Sequence, residues 1–315
     1  MLALPESGMH RSVSAQNVNL GIFCDWLECN ALFSEESFSK SDVIDLLVEN
    51  EIFDEQDFAS ALVDSAWGIV RSRVDRIQSA ANIRVERSRI EREGVWTDDV
   101  GYSFCLSLCC LTYLYPRALN AANRDVQLQG DLFEAFTVES LGRMLPQWEI
   151  RRVGWSPSNP VRLKDCIDEI IAELNERENN DRELHVTSSA NELGLDILAH
   201  YSFGDADSAS TVLMIQCASG DNWKQKRHTP QLEIWNKIIN FVSRPIKGFA
   251  IPYAFADITD FRTHATPVSG LFLDRNRLLN PAKDGVAWLS DPLGVRLKAW
   301  CEMYVPALPQ HNNVF

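Results

Sequence analysis

The side chains best placed to do chemistry lie between Gly194 and Lys226. One carboxylate, Asp196, sits inside an apolar run, GLDILAHYSF, and a polar pair, Gln216-Cys217, ends a second run, TVLMIQC. After a Ser-Gly break come Asn222, Trp223, Lys224 and Lys226. A carboxylate within an apolar strand is costly unless it meets a cation or a hydrogen-bond donor. An acid on one strand, a polar strand end beside it and a lysine in the following helix can build a divalent-metal site for phosphodiester hydrolysis. That reaction needs a metal to neutralise the non-bridging oxygens and to lower the pKa of an attacking water. Mg²⁺ fits such a site, because it prefers oxygen ligands, keeps several waters and needs only one or two carboxylates.

The elements that must position these groups can be read from hydrophobic period and turn chemistry. Residues 193–203 and 211–217 are expected to be strands joined by the GDADSAS turn. A helix follows at 230–242, with Leu232, Trp235, Ile239 and Val242 on one face. A strand at 247–255 contains Pro252, which suits an edge or a bulge. Upstream, a helix at 130–145, a strand at 148–155, a turn at 156–160 and a helix at 161–174 are expected. Downstream, a strand or loop spans 270–279 and a last helix 293–305.

Residues 18–116 have a helical pattern. Ser39, Ser41 and Asp42 form a capping signal before VIDLLVENEIF. Between Val70 and Arg92 seven arginines face only Asp75, Glu86 and Glu91. A solvated helix face laced with ion pairs is one explanation, and a phosphate-tracking arm is the sharper one. The expected division is an all-helical N-terminal domain over 1–119 and an α/β domain over 120–315.

Bulk properties narrow the class. With 45% hydrophobic residues, nine Trp and fifteen Phe, the chain is globular. The apolar run 104–115 is too short to span a bilayer, and the N-terminus lacks the pattern of a signal peptide. A cytoplasmic protein without a membrane segment is expected, its eight cysteines reduced and buried, since none forms a C-x-x-C pair. A net charge of −14 opposes general adhesion to nucleic acid. Residues 1–120 hold nineteen acids against ten bases, whereas residues 224–247 hold six Lys or Arg against Glu233 alone. A basic surface therefore follows the candidate site, where a nucleic-acid backbone would dock. His200 and His228 have no partner at a ligand spacing, and no Walker A loop, G-x-G-x-x-G fingerprint or G-x-S-x-G elbow occurs.

In element order and in these residues, the region from about 125 to 260 resembles the PD-(D/E)XK nuclease superfamily. The resemblance implies a restriction-endonuclease-like α/β core: a helix, three strands, a helix and a fourth strand, with the central mixed sheet flanked by helices. Glu134 in GDLFEAF corresponds to the acid of the first helix and Asp196 to that of the second strand. Gln216 takes the acidic position of the third strand, a substitution that some branches carry. Two residues on, where the lysine is usual, stands Ala218. The resemblance then assigns the lysine to the next helix, Lys226 first and Lys224 second. It implies a metal held by Asp196, Glu134, the Gln216 side-chain oxygen and the Cys217 carbonyl, and nucleic-acid contacts from Asn222, Lys224, Arg227 and Lys237. The implied activity is a Mg²⁺- or Mn²⁺-dependent endonuclease acting on DNA, with RNA an open alternative, in prokaryotic restriction or anti-phage defence. The N-terminal domain would dock an ATPase or sensor subunit, or a second copy in a homodimer. Ala218 favours a rival, a catalytically degenerate nuclease fold that binds nucleic acid or a partner. A purely structural interaction protein is the second rival.

Overall fold

The computed structural model describes residues 1–9, 18–120, 124–153, 163–186, 192–205 and 207–311. The turn expected at 156–160 and the first two residues of the helix at 161–174 lie outside them. The chain divides into two units. One, the helical unit, comprises Met1–Asp125, Pro252–Phe261 and Asp274–Phe315. The other, the sheet unit, comprises Val126–Ile251 and Arg262–Leu273. The first division falls near the expected 119/120, but the C-terminal residues do not stay with the sheet. They are held in the helical unit by buried polar contacts: Tyr253 with Thr112, and Arg275 with Asp25 and Glu28.

The helical unit begins with α1 (Leu20–Phe33), β1 (Phe38–Ser39), α2 (Lys40–Glu49) and α3 (Gln56–Ile77). The Ser39 signal is realised as a capping box, with Ser39 and Asp42 each bonding the other's backbone N–H. β2 (Ile83–Val85) and β3 (Arg89–Arg92) follow, then α4 (Val100–Cys109), a π turn over Cys110–Leu114, and α5 (Pro116–Asn120). The expectation of an all-helical domain is therefore corrected: β1, β3 and β2 form a three-stranded antiparallel sheet in that order. α3 stops at Ile77, and Asn82 takes a left-handed φ of 45° that turns the chain into the hairpin. Ile90 is buried opposite Phe38 and Val85, which gives this arginine-rich stretch a strand-like packing face. All eight cysteines are buried free thiols.

The sheet unit contains α6 (Val126–Met144), β4 (Trp148–Arg152), α7 (Leu163–Glu173), β5 (Arg177–Glu178), α8 (Arg182–His185), β6 (Ile197–Tyr201) and β7 (Val212–Cys217). After these come α9 (Trp223–Lys226), α10 (Leu232–Ile238), β8 (Ile239–Asn240) and β9 (Ile246–Ala250). The helix expected to run to 242 thus ends at Ile238, and its last apolar residue, Val242, is exposed. The strand expected to run to 255 ends before Pro252. The chain passes through α11 (Ile258–Ala265) to β10 (Leu271–Leu273) before α12 (Arg275–Leu279) and α13 (Asp291–Tyr304) complete the helical unit.

The main sheet has the order β10-β9-β7-β6-β4. β4, β6 and β7 form an antiparallel meander, and β9 joins β7 in parallel, as does β10 with β9. A parallel neighbour needs a crossover, which α9 and α10 supply. One core packs Cys166, Ile167 and Ile170 of α7 and Trp235 and Ile238 of α10 against Leu198, Val212 and Met214 of the strands. α6 packs on β4 and β7.

Candidate active site at the β6 and β7 strand ends

Asp196 stands one residue before β6, and the ladder holds it there. Its N–H donates to the Ile215 carbonyl (2.9 Å) and its own carbonyl accepts the Val153 N–H (2.8 Å). Backbone bonds on both sides leave the side chain little freedom. The approach is built by Gly194, whose φ is +70°. A Cβ there would stand 2.5 Å from Thr229 Cβ and 2.9 Å from Gln216 Oε1. Asp196 is buried, only 4% exposed, so it is no solvated strand-end acid. Its Oδ2 accepts the Cys217 N–H at 2.6 Å and a close bond from the Gln216 amide.

Gln216 is also buried, and its amide bonds on three sides. Nε2 donates to Asp196 Oδ2 and to the Cys217 carbonyl (3.1 Å), while Oε1 faces Thr229 Oγ1 at 3.2 Å. Thr229 Oγ1 also lies 2.6 Å from the Lys226 carbonyl. A hydroxyl has a single proton, so Thr229 can serve only one of these two acceptors. The shorter contact claims it, and Gln216 Oε1 is left facing a lone pair. The residues expected from the sequence on these two strands are therefore together, joined by one set of hydrogen bonds.

Glu134 has a different partner. On α6 it pairs with Arg152, at 2.9 Å from Nη2, and Asp131 pairs with the same guanidinium at 2.6 Å. Partial burial works against the charge on Arg152, but the bond from Asp131 and the field of Glu134 outweigh it and raise its pKa. Arg152 is directly opposite Ile197 in the ladder, so this cluster adjoins the Asp196 position. The Cys217 thiol is held well above its usual pKa by burial first, then by the charges of Asp196 and Glu134. It stays protonated, and only its carbonyl is available as a donor atom. Gln129, five residues before Glu134 on α6, donates to the Ser219 carbonyl (2.8 Å) and ties the helix to the chain beyond β7.

The basic residues form a second layer. Trp223 is buried at the start of the four-residue α9, and its ring meets His264 edge-on at 5.0 Å. Lys224 Nζ and the Arg227 guanidinium lie 5.7 and 6.0 Å from the same ring. Arg227 donates from Nε to the Lys224 carbonyl and lies 3.0 Å from His264 Nδ1. Lys224, Lys226 and Asn222 are exposed, and Asn222 makes no capping bond. Lys237 stands apart on α10, paired with Asp181 at 3.9 Å. Sequence reasoning missed Asp131, Thr229 and His264. Only Asp131 carried a signal, lying three residues before Glu134 on one helix face.

Among the described residues one group of three side chains could hold a metal through His, Cys, Asp or Glu atoms alone: Glu149, Glu173 and His200, whose ligand atoms all lie within 4.8 Å of one another. His200 had no partner by spacing because its neighbours come from another strand and a helix. No helix among the described residues is long and apolar enough to cross a membrane. No family model, curated protein or solved structure matches the chain.

Proposed function

We propose that the sheet unit is a Mg²⁺- or Mn²⁺-dependent nuclease of restriction-endonuclease-like fold, acting on DNA as an effector of prokaryotic anti-phage defence. The observation that carries this reading is the buried carboxylate of Asp196, held against Gln216 and the Cys217 backbone at adjacent strand ends. The element order supports it too: helix α6, the meander β4-β6-β7, a helical crossover and parallel β9. When bound, the metal would supply charge neutralisation at the scissile phosphate and a water of lowered pKa. The chain's own residues have separate tasks. Asp196 provides the fixed negative charge, and Gln216 and Cys217 add neutral donors. Lys226, exposed and three residues before Thr229, would stabilise charge developing on the phosphate, with Lys224 as its substitute. Lys224 and Arg227 would meet the backbone.

The test is cleavage of supercoiled plasmid with Mg²⁺ or Mn²⁺ by the wild type, Asp196→Asn and Lys226→Ala. Asparagine can keep the bond from the Cys217 N–H through its carbonyl oxygen and removes only the charge. Cutting that is lost at least 100-fold in Asp196→Asn, with folding intact, supports the proposal; equal cutting by both proteins rejects it. A second reading is favoured by Ala218 and by the Glu134–Arg152 pair, in which the helix acid is already engaged by a guanidinium that it shares with Asp131. In that reading the unit binds nucleic acid without cutting. It predicts a gel shift that weakens in Lys224→Ala and Arg227→Ala while plasmid stays intact with either metal.

A further inference from the structure

We propose that Glu149, Glu173 and His200 form a second metal site, for a divalent ion of the zinc type, distinct from the Asp196 cluster. His200 lies four residues beyond Asp196 along the β6 direction, about 13 Å at the rise of a strand. The three ligands come from three elements that the fold already locks together. Glu149 on β4 and His200 on β6 are direct cross-strand partners in the antiparallel register. Glu173 closes the set from the last residue of α7. His200 Nε2 lies 3.1 Å from Glu173 Oε1 and 3.6 Å from Glu149 Oε2. His200 is 5% exposed, so its imidazole has no freedom to turn away.

Charge separates a metal site from an ordinary histidine ion pair here. Arg151 Nε binds the other oxygen of Glu173 at 2.6 Å, and Arg151 also faces Glu169 at 3.8 Å. That guanidinium orients Glu173 but balances only one of the three carboxylates, Glu149, Glu169 and Glu173. A cleft of about 250 Å³ opens beside the group, lined by Glu173, His200, Ser202, Asp205, Asp207 and Ser210. Its walls carry two more carboxylates and two hydroxyls, which is a polar entry path with room for metal-bound waters. The local excess of negative charge around one buried imidazole calls for a cation.

The donor set selects the metal. One imidazole nitrogen with carboxylate oxygens suits Zn²⁺ and its first-row neighbours, whereas Mg²⁺ favours an all-oxygen shell. Three protein ligands leave a position for water, the pattern of an open zinc site. Bound there, the ion would pin β4, β6 and α7 together.

The experiment uses the full chain, stripped with chelator and titrated with Zn²⁺ in excess Mg²⁺, which fills any all-oxygen site. Calorimetry and thermal melting are the readouts, and no cutting activity is required. The expected result is one Zn²⁺ per chain and a raised melting temperature. Glu149 is largely exposed, so Glu149→Gln should fold normally and weaken Zn²⁺ about tenfold or more. His200→Asn should abolish binding, and Asp196→Asn should leave it unchanged. Absence of saturable binding to the wild type overturns the site. So does wild-type affinity in Glu149→Gln, or loss of binding in Asp196→Asn. Because the nuclease reading is tested by plasmid cutting and this one by Zn²⁺ binding, either can fail without the other.

Discussion

Asp196, Gln216 and Cys217 meet because antiparallel register sets the start of β6 beside the end of β7. The sequence made this pairing legible: a lone acid in one apolar run and a polar pair closing the next. What it hid were contacts between elements. Arg152 with Glu134, Thr229 with Gln216, and His200 with Glu173 have no fixed spacing along the chain, since tertiary packing alone brings them together. The Gln216 position also has a consequence that can be measured without any substrate. Gln216→Glu would place two carboxylates at one buried site, where like charges disfavour joint ionisation. Without metal the variant should melt below the wild type, by an amount corresponding to about 1–3 kcal/mol. Millimolar Mg²⁺ should restore the melting temperature by more in the variant than in the wild type. A deficit indifferent to Mg²⁺ would mean that no cation is held between these strands.

At the level of elements, the order helix, strand, helix, strand, strand, helices, strand was readable from period and turn residues, and the boundaries were not. The segment 83–92 was misread because its arginines mask a strand pattern that only pairing with β1 reveals; tertiary context overrides local propensity. Two element ends carry predictions. Gly194 makes the turn into β6 at positive φ and lies against Gln216 and Thr229, so Gly194→Ala meets both backbone strain and a clash. A loss of about 1–3 kcal/mol in urea unfolding is expected, together with weakened metal response, because the added methyl presses on Thr229 and on Gln216 Oε1 beside it. The second end is the N-cap of α4. Asp99 accepts the Gly101 and Tyr102 N–H groups at 3.1 and 3.2 Å, yet burial dominates these bonds and raises its pKa from 3.8 to about 6. An acid with a raised native pKa contributes stability that is complete below its unfolded pKa and lost as pH climbs through the native value. Asn is an equally good cap without the charge. Asp99→Asn should therefore gain stability relative to the wild type between pH 4 and about 6, then hold a constant margin of about 3 kcal/mol above pH 7. A margin that does not change with pH would show that Asp99 titrates normally.

Across the whole chain, what most clearly overrides a simple two-part reading is a buried ionic cluster in the helical unit. Asp25 and Glu28 on α1 face Arg73 of α3 and Arg275 of α12, and Tyr102 of α4 donates to Glu28. Arg73 also bonds the carbonyls of Ala254 and Phe255. Two acids and two guanidinium groups thus bind three stretches distant in sequence, and this explains why 252–261 and 274–315 belong with the N-terminal helices. Nothing in the local sequence around Arg73 or Arg275 marks either as internal, since arginine is rarely buried without a partner. Its cost and its value are unequal. A buried pair adds little over well-packed apolar residues, but removing one partner strands a charge, at about 3–5 kcal/mol. Arg275→Met should lose about that much at neutral pH, and Arg275→Lys should recover only part, lacking the planar fork. The pH dependence follows from Glu28. Burial raises its pKa, but Arg275 and then Arg73 lower it further, so in the wild type its stabilisation is present above about pH 4.5 and lost as pH falls through the native value. In Arg275→Met the burial effect gains ground and the Glu28 pKa rises, so its penalty applies above pH 4.5 and fades below it. The gap between wild type and variant should therefore be widest near pH 7 and narrow toward pH 4, as followed by near-UV circular dichroism in urea. An equal gap at both pH values would mean that the loss reflects packing and that the cluster does not hold this unit together by charge.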